Sequence, residues 1–137
     1  MKTTLKTLFF SLVLMVIGIT LSCTSGNTPE AVAEKFAESI YTADFEKARE
    51  CATPDASDAI GFIEGMTAKH VEDMKASNPD VKVLSCEVNK EEKTAKVELE
   101  IKNYFDLNKK QVNTEPETEK YNLKEVDGKW LVAFNGN

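Results

Sequence analysis

The chain has 137 residues, a formal net charge of −6 and a single histidine. An acidic chain argues against nucleic-acid binding, which depends on a basic surface. The length fits one domain with its own hydrophobic core.

The first 22 residues are typical of a secretory signal peptide. Lys2 and Lys6 form a positive start, and residues 8–19 are apolar except for Ser11 and Gly18. This run is shorter than the ~20 residues that a membrane-spanning helix needs. The sequence therefore predicts export, with residues 1–22 as the leader.

The leader ends in Leu21-Ser22-Cys23, which resembles the lipobox of bacterial lipoproteins, although Thr20 replaces the leucine usual at that position. The resemblance implies that Cys23 is acylated (a palmitate-type anchor) and that residues 23–28 are the lipidated cysteine and a short tether. Several acyl chains would give a durable anchor, at ~0.8 kcal/mol per buried methylene. The alternative is ordinary secretory cleavage, with Cys23 left as a thiol or a disulfide partner.

Removal of the leader leaves 15 basic and 23 acidic residues, a net charge of −8. By resemblance to enterobacterial sorting, Thr24 after the cysteine favours the outer membrane. No acidic cluster follows the cysteine, so we expect the domain to face the periplasm. Cys51 and Cys86 are then a candidate disulfide in an oxidising compartment, or else two free thiols that pack as small hydrophobes.

Three helices are predicted in the first half of the domain. Thr28-Pro29-Glu30 is a helix start, and apolar residues follow at spacing four. A shorter helix begins at Asp44 and ends before Pro54. A third begins at Ser57 or Asp58 and continues through Met74.

Strand patterns fill the second half. Residues 81–88 alternate, with Leu84, Cys86 and Val88 on one face, and residues 95–101 alternate apolar and charged side chains. Residues 103–116 read as a strand extension followed by an exposed loop. Strands are also predicted at 118–126 and after the Asp127-Gly128 turn. The fold class is therefore α+β, with three N-terminal helices packed on a four-stranded antiparallel sheet, in a domain spanning residues 29–135.

The mature chain resembles the small lipoproteins of Gram-negative anaerobes that carry a nuclear transport factor 2-like (cystatin-like) domain of unknown function. Three segments carry the resemblance: Thr28-Pro29-Glu30 with Phe36, residues 43–48, and residues 126–130. It implies a curved sheet that wraps the helices into a cone, and dimerisation through the sheet. It implies no particular chemistry.

Two groups of polar residues are candidates for chemistry. His70, the only histidine, is a candidate general base or a structural side chain. Glu115, Glu117 and Glu119 share one strand face, which we interpret as a charged sheet edge that resists aggregation. No spacing typical of a metal site is present, and we expect neither a metal nor another cofactor.

A cone of this size can hold a cavity, and six residues are the candidate lining: Phe36, Ile40, Met66, His70, Tyr104 and Trp130. The sequence does not place Tyr41, Tyr104 or Tyr121 beside a buried acid. We therefore expect a non-enzymatic module of the cell envelope that binds a small apolar ligand or a partner protein. The alternative is a small lyase or isomerase that uses a histidine or carboxylate with a tyrosine. A cystatin-like protease inhibitor is less well supported, because no Gly-rich apolar wedge is visible.

Overall fold

The computed structural model describes residues 26–134, so the leader and Cys23 lie outside the described residues. The helices are α1 (Pro29–Tyr41), α2 (Phe45–Glu50), α3 (Ser57–Thr67) and α4 (Val71–Ser77), with a 3-10 turn (Pro54–Ala56) before α3. The strands are β1 (Asp80–Asn89), β2 (Thr94–Lys102), β3 (Tyr104–Asp106), β4 (Gln111–Asn113), β5 (Glu117–Val126) and β6 (Lys129–Ala133). In the range 26–134, no helix has the length and apolar character to cross a membrane.

Four strands form one antiparallel sheet in the order β1-β2-β5-β6, and the helices pack against one of its faces. The core-facing residues of β2 are almost completely buried, as their alternation predicts: Ala95, Val97, Leu99 and Ile101. Helix α1 covers them with its apolar stripe, in which Phe36 is 1% exposed. The α+β class and the four-stranded sheet are thus confirmed.

Helix α1 begins where the sequence predicts, because Thr28 accepts a hydrogen bond from the backbone N–H of Ala31 at 3.2 Å and Pro29 occupies the first turn. The segment before it is held by Asn27. Its side chain accepts from the backbone N–H of Trp130 at 3.1 Å and donates to the carbonyl of Gly128 at 2.8 Å. The start of the domain is thereby fixed to the β5–β6 turn, in which Asp127 and Gly128 both have positive φ.

The predicted third helix is two helices. The hydroxyl of Thr67 donates to the carbonyl of Ile63 at 2.8 Å, and the backbone N–H of His70 donates to the carbonyl of Thr67 at 2.8 Å. The chain then turns at His70, whose ring lies 5.3 Å from that of Phe105 in β3. No proline or glycine lies at this break, which is accompanied by the contact between His70 and Phe105.

The predicted face of β1 is partly wrong. The pairing register shifts between Val83 and Ser85, so Leu84 lies in a bulge and is 43% exposed. Val81 and Val83 pack on the core before the bulge, and Cys86 packs on it afterwards. One extra residue in a strand transfers every later side chain to the other face, which a strict alternation cannot anticipate.

Residues 103–116 do not extend β2. Asn103 adopts a positive φ of 59°, and the chain then forms the two-stranded ribbon β3–β4. The carboxylate of Asp106 accepts from the backbone N–H groups of Asn108 and Lys109, which closes the ribbon's turn. Cys51 and Cys86 are both free thiols in this structure, the first buried and the second partly buried.

Leu84 and Leu99 lie in neighbouring strands but in opposite environments, because the bulge turns Leu84 away from the core. A matched pair of substitutions tests this difference. We expect Leu99→Ala to lower the free energy of unfolding by about 2–5 kcal/mol, because Leu99 is fully buried. We expect Leu84→Ala to cost about 0.5 kcal/mol or less, because Leu84 is 43% exposed and does not belong to the core. Urea unfolding of the mature chain measures both values. Equal losses would contradict the register shift.

Candidate functional site

A cavity of about 300 Å³ lies between α1, the core face of the sheet and the layer formed by α3, α4 and β3. Eleven residues line it: Phe36, Ile40, Tyr41, Ile63, Thr67, Met74, Phe105, Leu107, Glu119, Tyr121 and Phe134. Glu119 is the only acidic residue in this lining, and the lining contains no lysine, arginine or histidine. The volume of the cavity is at the small end of the ~300–1,000 Å³ typical of ligand pockets.

A second hollow of about 310 Å³ lies on the opposite face of the sheet. It is lined mainly by polar side chains of the outward-facing rows, among them Lys96, Glu98 and Lys120. An apolar pocket with few convergent polar groups is the usual form of a small-molecule site. The cavity over Glu119 is therefore the candidate site.

The register between β2 and β5 places Glu119 inside the cone. Glu119 lies opposite Leu99, and the next position on the same face, Tyr121, lies opposite Val97. Opposite residues in an antiparallel pair share a face, so both β5 side chains point toward the helices. The interpretation of this glutamate row as a solvated sheet edge is wrong for Glu119, because β5 is a central strand and this face is the covered one.

Two tyrosines hold the Glu119 carboxylate. Tyr41, the last residue of α1, donates its hydroxyl to Oε1, and Tyr121 donates its hydroxyl to Oε2. One phenol donor on each oxygen is an arrangement that an ionised carboxylate accepts. We call these three residues the Tyr–Glu–Tyr clamp.

Both phenols of the clamp are poor acids. Burial raises the pKa of Tyr41 and of Tyr121 far above the ordinary value of about 10, and the charge of Glu119 and its hydrogen bonds raise it further. The tyrosines therefore stay neutral throughout the physiological pH range. They donate hydrogen bonds to Glu119 without adding a second negative charge.

A second polar contact supports the clamp from the β3–β4 ribbon. The ring of Tyr104 packs edge-on against that of Tyr41, with centroids 5.1 Å apart. Its hydroxyl accepts a hydrogen bond from the buried Asn113 side chain at 2.7 Å. Burial raises the pKa of Tyr104 as well, with a further contribution from Glu117. The ribbon is thus tied to α1 at the end of the helix that carries Tyr41.

The structure separates the six residues predicted to line a cavity. Phe36 and Ile40 line it, whereas Tyr104 packs behind the wall on Tyr41. Met66 is 57% exposed on α3. Trp130 packs against the core from β6 and is not among the lining residues.

His70 lies at the start of α4, outside the cavity lining. Its ring stacks at a tilt on Phe105, and its Nδ1 lies 3.4 Å from the exposed carboxylate of Asp73. It has no contact with the clamp that would make it a base for a reaction in the cavity. Within residues 26–134, no three histidine, cysteine or carboxylate side chains group together as a metal site would require.

Sequence reasoning missed the clamp, although one signal pointed to part of it. Glu117, Glu119, Tyr121 and Leu123 alternate along β5, and a buried leucine at the end of such a row assigns the whole row to the core face. The charges of Glu115, Glu117 and Glu119 by themselves point instead to a solvated sheet edge. The contribution of Tyr41 had no local signal, since it depends on where α1 ends over the sheet.

Comparisons with known proteins establish the fold. No protein-family model matches the chain, and no curated protein matches it in sequence. Among solved structures, the chain is similar to a Campylobacter jejuni protein described as a candidate nuclear transport factor 2-like transpeptidase. The identity is 18% and the TM-score is 0.57, over 79% of this chain and 99% of that one. A designed β-sheet protein is 16% identical, over 77% of this chain and 83% of that one, but its TM-score of 0.32 is too low to carry an argument. At these identities the likeness shows a nuclear transport factor 2-like fold and nothing about activity.

All three tyrosines of the chain have a raised pKa, which a spectroscopic titration tests. We expect the folded mature chain to show little phenolate absorbance at 295 nm at pH 10, and the chain in urea to titrate near the ordinary value of about 10. Since the folded pKa exceeds the unfolded one, this contribution to stability is complete below pH about 10. It is lost as the pH rises further.

The variant Glu119→Gln separates the causes of the shift. It removes the nearby charge but leaves the burial, so we expect phenolate to form at lower pH than in the wild type, yet still above the pH found in urea. Ordinary titration of all three tyrosines in the folded wild type would contradict the clamp.

Proposed function

We propose that this protein is a lipid-anchored protein of the cell envelope whose domain binds a small ligand in the cavity over Glu119 without transforming it. One observation carries the proposal: a mostly apolar cavity of about 300 Å³ contains a single carboxylate fixed by two phenols. The apolar walls would hold the body of the ligand, and Glu119 would fix the orientation of its polar group.

Binding accounts for the clamp better than catalysis does. A general base needs a carboxylate oxygen that can reach a substrate proton, and a general acid needs a hydroxyl proton that it can give away. Both oxygens of Glu119 accept a phenol, and the protons of Tyr41 and Tyr121 are directed at Glu119. The phenol protons are therefore already engaged, whereas each carboxylate oxygen keeps a second lone pair that can accept a donor group of a ligand.

A lyase or isomerase remains the second candidate, because a carboxylate and a tyrosine in one apolar pocket are the parts that such enzymes use. In that case one phenol would leave Glu119 when the substrate binds and would donate to the substrate oxygen. Turnover that Glu119→Gln abolishes, with the ligand still bound, would favour this candidate over simple binding.

The transpeptidase description of the Campylobacter jejuni protein is not carried over to this chain. Acyl transfer of that kind uses a serine or cysteine nucleophile beside a base. The cavity lining contains neither, and its one threonine, Thr67, donates its hydroxyl to the carbonyl of Ile63 at 2.8 Å.

The position of Asn27 supports an orientation relative to the membrane. Asn27 fixes the start of the domain at the β5–β6 turn, whereas Tyr41 contributes to the cavity at the other end of α1. A helix of 13 residues is about 20 Å long. With Cys23 acylated and only a few residues of tether, the cavity end of α1 would lie farther from the bilayer than its start.

We propose that the protein is anchored in the outer membrane and faces the periplasm. We also propose that the open face of the sheet binds a second copy of the chain or another envelope protein.

A tryptophan at position 63 would fill the cavity, whereas a tryptophan at position 66 on the same helix would leave it open. We expect Ile63→Trp to abolish binding of a neutral solvatochromic dye such as Nile red, because residue 63 lines the cavity. Met66→Trp should bind the dye as the wild type does, since Met66 is exposed on α3 and lines no part of the cavity. Dye fluorescence measures both. Equal binding by all three proteins would place the dye elsewhere and remove support for the cavity.

Lipidation is tested in the whole chain expressed in a Gram-negative bacterium. We expect the wild type to incorporate labelled palmitate and to enter the detergent phase on phase separation, whereas Cys23→Ser does neither. Cys51→Ser removes a cysteine of the folded domain and should keep both properties. A wild type that is found without label in the aqueous phase would contradict the anchor.

A further inference from the structure

We propose that the ligand of the cavity is an organic cation, with an ammonium group on a compact apolar or aromatic body. This inference rests on the proposed function and names the chemical class that the same cavity recognises. It follows from the charge that the cavity contains and from the side chains that surround this charge.

The charge of Glu119 has no positive partner among the described residues. Six ion pairs form within residues 26–134, and none of them includes Glu119. The two phenols of the clamp provide hydrogen bonds but no positive charge. A carboxylate in a largely apolar site is costly unless it is paired, and the lining offers no basic side chain for this purpose. A cationic ligand would supply the missing charge.

The walls of the cavity favour the same class of ligand. Five of the eleven lining residues are aromatic: Phe36, Tyr41, Phe105, Tyr121 and Phe134. The ring of Phe36 packs edge-on against those of Tyr121 and Phe134, at 84° and 64°, so the aromatic wall is not one flat stack. Aromatic faces attract ammonium groups, and pockets built from several rings are a common way to bind quaternary ammonium compounds.

Other ligand classes fit less well. An anion would be repelled by Glu119 and would find no basic side chain in the lining. A neutral hydroxyl compound could donate to a remaining lone pair of Glu119, but it would leave the carboxylate without a positive partner. A quaternary ammonium group needs no hydrogen bond, so it can approach the carboxylate while the clamp stays closed.

The test compares two molecules of nearly the same shape. Benzyltrimethylammonium and its neutral carbon isostere, neopentylbenzene, differ by one positive charge. Binding to the mature chain carrying Cys23→Ser is measured by ligand-observed NMR, with Nile red as the neutral reference. We expect the cation to bind at least about tenfold more tightly than the isostere.

Two glutamate variants show whether the preference comes from Glu119. We expect Glu119→Gln to weaken binding of the cation about 30-fold and to change binding of the isostere less than about threefold. Glu115→Gln makes the same change in net charge at an exposed position outside the lining, and should leave both affinities within about twofold. Phe105→Leu, which removes one ring, should weaken the cation more than the isostere.

The possible results separate this inference from the function on which it rests. If the isostere binds as tightly as the cation, or if neither binds while Nile red still does, the inference is wrong and the ligand-binding function stands. If no compound binds, dye included, both fail. The comparison in the wild type decides between these outcomes even if Glu119→Gln does not fold.

Discussion

The register between β2 and β5 determines the chemistry of this domain. It sets Glu119 opposite Leu99 on the covered face of the sheet, where a leucine or valine would be the simplest choice. A shift of one residue would turn Glu119 outward and remove the carboxylate from the cone. The cavity, the clamp and the unpaired charge all follow from this one alignment.

Helix α1 connects the two ends of the domain. Its start is fixed beside the β5–β6 turn by the hydrogen bonds of Asn27, and its last residue, Tyr41, reaches Glu119. Between them, Phe36 packs on the sheet and on the ring of Tyr121. Because α1 is held along its whole length, the position of Tyr41 is set by the core and not by a loop. All three clamp residues thus lie on regular secondary structure, and a site that needs little reordering loses less entropy on binding.

The sequence predicted the features that local patterns determine. The alternation along β2, the helix start at Thr28 and the Asp127-Gly128 turn each depend on a few neighbouring residues, and each is present. The break before α4 coincides with a contact to β3, and the bulge at Leu84 is visible only in the pairing of β1 with β2, so no local pattern marks either of them. Only two of the six residues predicted to line the cavity do so, because the other lining residues are brought there by contacts between distant segments. Phe36 and Ile40 follow from the apolar stripe of one helix.

The residues of the clamp illustrate what local patterns leave out. Glu119 looks like any charged strand residue until its partner strand and register are known, and its charge pointed to the wrong face. Tyr41 looks like the end of an amphipathic helix. Their meeting joins residues 78 positions apart, and only the packed fold brings them together. Polar residues on the core face of a sheet break the usual apolar pattern, and such exceptions are expected at functional sites.

A charged residue at position 119 is not what core packing alone would favour. An apolar side chain at residue 119 would pack against the rings without any cost of removing a carboxylate from water, and the two phenols would then need other partners. The structure instead retains the carboxylate and supplies two partly buried donors for it, one from a helix and one from the same strand. Those donors are neutral, so they stabilise the carboxylate without supplying a positive charge. A positive group that bound in the cavity would supply that charge, and a ligand that binds only the folded state would raise the free energy of unfolding.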